Sequence, residues 1–268
     1  MSILAVRNLS KAFGGVRAVD DVSFDVGEGE FLALIGPNGA GKSTCFNMIN
    51  GQLKPDRGEI RFGDRGIAGL EPREIWRLGV GRTFQVAATF GSMTVAENVQ
   101  LAIVSHHNEI FQFGAAFAPL HRSRAVELLA QVGMADAADR PCKELAYGDV
   151  KRIELAVALA NEPQLLLMDE PTAGMAPRER NDLIALVKRL VLERRISVLF
   201  TEHSMDVVFA YADRIIVLAR GRVIADGDAA AIRGHPEVEQ VYLGTGRTFK
   251  PAPPLPPPLA GEGKGEGR

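Results

Sequence analysis

Apolar and polar positions alternate along residues 3 to 8 and 18 to 26, where Val19, Val22, Phe24 and Val26 fall at strand spacing. Gly27-Glu28-Gly29 then turns the chain into a solid apolar stretch, 30 to 35. A turn at Lys54-Pro55-Asp56-Arg57-Gly58 leads to a short strand, Glu59 to Phe62, and Pro72 opens a brief helix holding Trp76. A strand over Gly79 to Phe84 follows. From about 93 to 160 the period becomes helical: Val95 to Val104, Pro119 to Val132, and Asp149 to Asn161 with Ile153, Leu155, Ala156 and Leu159 on one face. Strands and helices then alternate: strand Gln164 to Met168, helix Pro177 to Glu193, strand Ile196 to Phe200, helix Ser204 to Tyr211, and strands near 214 to 218 and 222 to 226. This order predicts an α/β fold that begins β-rich, carries a helical insertion, and is built on a mainly parallel sheet covered by helices on both faces. From Lys250 onward the prolines at 251 to 258 and a Gly/Glu/Lys run offer almost nothing to bury, so residues 250–268 are expected to form a disordered tail behind a domain of residues 1–249. A passive extension is the simpler reading of that tail, and a polyproline-binding partner the other.

Composition narrows the partners. Hydrophobic residues make up 46% of 268, ample for a core, while a formal net charge of −2 without a basic run argues against a nucleic-acid surface. Cys45 and Cys142 are too few for a disulfide framework and are expected to be reduced, in a cytosolic setting. No apolar segment approaches the ~18 to 20 residues that span a bilayer, and Met1 to Arg7 lacks a signal-peptide layout. The chain is therefore expected not to cross a membrane itself, which leaves a membrane protein open as partner.

Two stretches carry candidate chemistry. Gly36-Pro37-Asn38-Gly39-Ala40-Gly41-Lys42-Ser43, followed by Thr44, fits G-x-x-x-x-G-K-[ST] between an apolar strand and a helix. The glycines let backbone N–H groups face phosphate oxygens, and the helix adds its positive end. Lys42 is then expected to reach the β- and γ-phosphates and the Ser43 hydroxyl to ligate Mg²⁺. A ligand-free glycine turn is the bland alternative. The second stretch, Leu165-Leu166-Leu167-Met168-Asp169-Glu170, is a buried-strand run ending in two acids, at the edge where open α/β sheets bind ligands. Asp169 is a candidate for Mg²⁺ and Glu170 for polarising an attacking water, although two acids at a solvated strand end would look the same.

With these in place the chain resembles the ATP-binding cassette (ABC) ATPases over about residues 3 to 243. The resemblance implies a P-loop ATPase core with an antiparallel N-terminal β-subdomain and a helical subdomain at about 93–160, and ATP with Mg²⁺ as cofactors. It further implies that Gln85 touches Mg²⁺ and the attacking water, and that His203 contacts the γ-phosphate. Leu145-Ala146-Tyr147-Gly148-Asp149 is similar to the family signature, Ala173-Gly174-Met175-Ala176 falls at its D-loop, and Phe13 stands about where an aromatic stacks on adenine, or else is a core residue. Ala146, Tyr147 and Asp149 depart from the usual Ser, Gly and Gln, and the D-loop lacks its usual aspartate. The ATPase subunits of branched-chain amino acid importers show similar departures. They also resemble this chain at Gly81-Arg82-Thr83-Phe84-Gln85, Met93 to Val99, His235-Pro236-Glu237-Val238 and Tyr242-Leu243-Gly244.

The resemblance then implies a head-to-tail pair, of identical chains or paralogues, with ATP sandwiched between Lys42 and Ser43 of one subunit and Ala146, Tyr147 and Gly148 of the other. It implies a polytopic permease, a periplasmic or extracellular solute-binding protein, and a place on the cytoplasmic face of the inner (plasma) membrane. Urea or amide import, lipid or polysaccharide export, and a soluble ABC ATPase without a permease are the alternatives. His106, His107, His121 and His235 have no metal-ligand spacing and are expected to be solvated.

Overall fold

The computed structural model describes residues 1–83, 89–107, 109 and 120–243. Strands β1 (Ser2–Phe13) and β2 (Val16–Gly27) form a hairpin turned at Gly14 and Gly15, both at positive φ. β4 (Arg57–Phe62) pairs antiparallel with β1, and the short β5 (Arg65–Gly66) completes a four-stranded sheet in the order β2-β1-β4-β5. The second sheet contains β3 (Phe31–Ile35), β6 (Val80–Thr83), β7 (Leu165–Asp169), β8 (Ser197–Thr201), β9 (Arg214–Ala219) and β10 (Arg222–Gly227). Its order is β10-β9-β3-β8-β7-β6, parallel throughout except for β10 at the edge.

The continuous apolar runs are explained by burial on both faces. Phe31, Ala33 and Ile35 of β3 enter one core, while Leu32 and Leu34 enter another. Leu166 and Met168 of β7 likewise separate from Leu165 and Leu167. Helices lie on both faces as expected, but on one of them α1 (Lys42–Ile49) shares the cover with the four-stranded sheet. Leu4, Val6 and Leu9 of β1 and Val22, Phe24 and Val26 of β2 give that sheet one apolar side, and the parallel sheet is what buries it.

Among the described residues the α-helices of the helical insertion are α3 (Val95–His106), α4 (Arg122–Gln131) and α5 (Tyr147–Ala158), with α2 (Pro72–Arg77) lying outside it. Thr94 and Glu97 form a capping box that starts α3. α5 begins at Tyr147 rather than the expected Asp149, because extended Ala146 caps it and first-turn N–H groups need no intrahelical acceptor. It ends at Ala158, short of Asn161, where the chain reverses through Glu162 (φ 50°) into β7. α6 (Pro177–Arg194) and α7 (Met205–Tyr211) follow the pattern, whereas α8 (Ala229–Arg233) and α9 (Pro236–Leu243) were not foreseen. The C-terminal end of the 79–84 strand, the start of the 119–132 helix and the 250–268 tail lie partly or wholly outside the described residues.

Of the histidines expected to be solvated, three stand against one another. The His106 ring meets Trp76 edge-on at 5.3 Å, His107 stacks on His121 at 5.2 Å, and His121 Nε2 lies 2.5 Å from Glu109 Oε2. The end of α3 meets α2 and the start of α4 there, and the rings fill that junction with His107 exposed at its rim. Among the described residues no group of side chains could hold a metal ion through His, Cys, Asp or Glu alone.

Candidate nucleotide site

β3 delivers the chain into the loop Gly36 to Gly41, and α1 takes it away. Two of the loop glycines are required by space: a Cβ on Gly36 would collide with the Leu218 carbonyl, and one on Gly41 with that of Ala18. Gly41 also has φ 104°, a left-handed conformation that favours glycine. α1 carries no acid in its first turn, which leaves its N-terminal N–H groups and positive end suited to an anion. Lys42 is only 7% exposed and folds back over the loop, with Nζ donating to the Gly36 carbonyl at 2.8 Å and the Pro37 carbonyl at 3.1 Å. An ammonium resting on neutral carbonyl oxygens is matched to an anion that enters the loop.

The acids arrive on β7, with β8 between it and β3. Asp169 is 9% exposed; its Oδ1 accepts from Thr201 Oγ1 at 2.7 Å, and Arg82 Nη2 stands 3.8 Å from Oδ2. Burial lowers the Arg82 pKa and the Asp169 charge opposes that. The Thr201 hydroxyl also accepts from the Glu170 N–H at 3.0 Å, so one group on β8 orients both acids. Glu170 sits in the left-handed region (φ 48°), which turns its side chain off the strand line. His203 Nε2 meets Glu170 Oε1 at 2.7 Å. Glu202, 3% exposed, accepts from Thr172 N at 3.0 Å, from Thr172 Oγ1 at 2.5 Å and from His203 N at 3.0 Å, fixing the loop after β7 to the loop after β8.

A cavity of about 370 Å³ joins these groups: Phe13, Gly39, Lys42, Ser43, Glu170 and His203 line it, with Asn38, Ala40 and Thr44 on the same wall. Phe13 is half exposed, which excludes the core reading. Ala146, Tyr147 and Gly148 do not line this cavity; they form the cap and first turn of α5 elsewhere on the chain. Gln85 lies outside the described residues. Sequence reasoning missed Thr201, Arg82, Thr172 and Glu202. For Thr201 the signal was register, since β7 and β8 pair with Asp169 opposite Thr201.

A backbone cradle, a buried lysine, a helix N-terminus and hydroxyl and carboxylate oxygens around one cavity have the make-up of a P-loop nucleotide site. The set fits a triphosphate, whose oxygens accept from N–H and ammonium donors, and a hard divalent cation, which takes hydroxyl and carboxylate oxygens. The comparisons with known proteins make the assignment specific. Residues 19–173 match the ABC transporter family, and the chain belongs to that family as one of its ATPases. It is 38% identical over 252 residues to the high-affinity branched-chain amino acid transport ATP-binding protein LivG of Salmonella typhimurium, covering 90% of this chain and 98% of that protein. It is 39% identical over 249 residues to BraF, the corresponding protein of Pseudomonas aeruginosa, with 90% and 98% covered. Among solved structures, the ADP conformation of an ATP-binding cassette of an ABC transporter superposes with a TM-score of 0.80 at 34% identity, over 91% of this chain and 99% of that one. A dimeric cassette in a post-hydrolysis state bound to ADP and Pi gives a TM-score of 0.72 at 28% identity, over 84% and 98%. Among the described residues no helix is long and apolar enough to cross a membrane.

Proposed function

We propose that the chain is the ATP-binding and hydrolysing subunit of an importer for branched-chain or related hydrophobic amino acids. It would work from the cytoplasmic face of the membrane on a separate polytopic permease, fed by a solute-binding protein on the other side. The observation that carries this reading is the end-to-end match to LivG and BraF, each covered over 98% of its length. The domain is taken as residues 1–249 with a helical subdomain at about 93–160.

In this reading Lys42 exchanges its bonds to the Gly36 and Pro37 carbonyls for phosphate oxygens. Ser43 and Asp169 would hold Mg²⁺, joined by Gln85, and a metal held there would supply positive charge to offset that of the phosphates. Glu170 would take the proton of the attacking water, and His203, which meets the Glu170 carboxylate, would contact the γ-phosphate. Ala146, Tyr147 and Gly148 present the N-terminus of α5 to the triphosphate of a second cassette, identical or paralogous, so that ATP favours the closed pair and hydrolysis releases it. An apolar groove of about 360 Å³ between α2, α3 and α5, with Trp76, Ile75, Ala102 and Val157 in its wall, suits a short helix of the permease.

Proteoliposomes that contain the chain with its permease and binding protein should accumulate radiolabelled leucine or isoleucine when ATP is supplied on the cassette side. Hydrolysis without uptake of any branched-chain amino acid, in a complex that transports another solute, would remove the cargo assignment and leave the ATPase intact.

A further inference from the structure

One chain carries two half-sites. The loop after β7 brings Glu170 to the chain's own triphosphate, while the first turn of α5 serves the triphosphate of the partner cassette. The role of α5 belongs to the proposed function, and the coupling inferred for Tyr147 rests on it. On this chain the two half-sites touch. The Tyr147 hydroxyl donates to the Ala173 carbonyl at 3.2 Å, across the boundary between the helical insertion and the parallel sheet.

The accepting carbonyl is well placed to pass on a displacement. Ala173 N–H donates to the Glu170 carbonyl at 3.1 Å, and Met175 N–H to that of Thr172 at 3.1 Å, so the carbonyl belongs to the turn that begins at Glu170. Thr172 is tied to buried Glu202, which accepts from the backbone of His203, whose ring meets the Glu170 carboxylate. The tyrosine is held from behind. Lys151, in a buried pair with Glu154 at 2.9 Å, places its ammonium 5.5 Å from the ring centroid. Gly174 takes a left-handed conformation, φ 78°, that favours glycine, and a Cβ built there would meet Tyr147 Cε1 at an ordinary contact distance of 3.7 Å.

We propose that Tyr147 is a positioning residue that couples the two nucleotide sites of a cassette pair. Engagement of the first turn of α5 by the partner's triphosphate moves the hydroxyl, the hydroxyl moves the Ala173 turn, and the turn aligns Glu170 with its own water. A glycine at 147 would have no side chain to make this link.

The test is Tyr147→Phe, which keeps the ring against Gly174 and under Lys151 and deletes only the hydroxyl. Steady-state ATPase of the assembled transporter and ADP binding to the isolated chain are measured together, with Gly148→Asp as companion, because a carboxylate there repels a triphosphate at the N-terminus of α5. The expected result for Tyr147→Phe is a fall in kcat of about 3- to 10-fold, the worth of one neutral hydrogen bond, with KM for ATP and ADP affinity within about twofold. Its Hill coefficient for ATP should drop toward one, while Gly148→Asp abolishes turnover and still binds ADP. Wild-type kcat and Hill coefficient in Tyr147→Phe, with Gly148→Asp inactive, would overturn the coupling and leave the signature assignment standing. Equal losses of kcat and ADP affinity would reduce Tyr147 to a packing residue. Full activity in Gly148→Asp would remove the signature assignment and the coupling with it.

Discussion

Replacing Thr201 by valine removes one hydroxyl and keeps the shape. In the native chain that hydroxyl donates to Asp169 Oδ1 at 2.7 Å and accepts from Glu170 N at 3.0 Å, at a residue with no exposure. The valine methyl fills the same space, so no cavity term arises. The Glu170 N–H keeps an acceptor, the Thr201 carbonyl at 3.2 Å, and is not orphaned. What is lost is a bond to a charged group in a buried setting, worth about 1.5–3 kcal/mol. For a chain of this size that corresponds to a fall in Tm of roughly 3–12 °C. The functional loss should be larger, because Asp169 is then left to the more distant Arg82, at 3.8 Å, for its orientation. Loss of an orienting partner behind a metal-binding group costs about 10- to 100-fold in metal affinity or activity. Titrating Mg²⁺ in a steady-state ATPase assay should show that shift for Thr201→Val, whereas Thr201→Ser, which keeps the hydroxyl, stays within a few-fold of wild type. A Thr201→Val protein with wild-type Tm and wild-type Mg²⁺ dependence would refute the argument that this hydroxyl orients the acids.

Glu170→Gln keeps the contact with His203 but cannot accept a proton, so turnover should fall by about 10²- to 10⁴-fold while ATP still binds and the cassettes pair more persistently by gel filtration; brisk turnover would take Glu170 out of the role. Gly41→Ala forces a side chain into φ 104° and against the Ala18 carbonyl, and should cost about 1–3 kcal/mol in denaturant unfolding together with loss of nucleotide binding by calorimetry. Burial pushes the Cys45 thiol up to about 12 and raises that of Cys142 as well. The reactive thiolate is therefore scarce at pH 8, and a thiol reagent should label neither residue until the chain is unfolded in guanidinium.

Much of the site was legible because its residues are close in sequence or end a recognisable strand. Gly36 to Ser43 is a local motif whose backbone demands can be read from glycine spacing, and Asp169 and Glu170 end an apolar run. Residues whose role depends on pairing between distant segments were not legible. Thr201 looks like one more strand residue until β7 and β8 are set in register, and Glu202 looks like a solvated acid until Thr172 is brought to it. The sheet arrangement was half visible: alternation in β1 and β2 announced strands, but nothing local said that their apolar side would close over β3 alongside α1. The clustering of the histidines at 106, 107 and 121 was missed for the same reason, since only the meeting of α2, α3 and α4 stacks them. α8 and α9 were missed although Asp228, which caps α8 through a bond to Ala231 N at 2.8 Å, and Pro236 at the start of α9 are ordinary helix openers.

Three acids crowd the ends of β7 and β8, and their surroundings separate their roles. Glu202 is buried and committed to the Thr172 side chain and to backbone N–H groups on two loops, so moving it would leave several donors unsatisfied; it can brace but not react. Asp169 is fixed by Thr201 and faced by Arg82, which suits a carboxylate that must stay in place. Of the three, Glu170 alone lines the cavity that Lys42 and Ser43 also line, and its left-handed backbone is what takes it there. A strained residue lining the cavity, held against a histidine on the neighbouring strand's loop, is compatible with the general-base role proposed for Glu170. The positive φ is what separates neighbouring acids: with ordinary extended dihedrals residue 170 would continue β7, and its side chain would not be turned toward the cavity it lines.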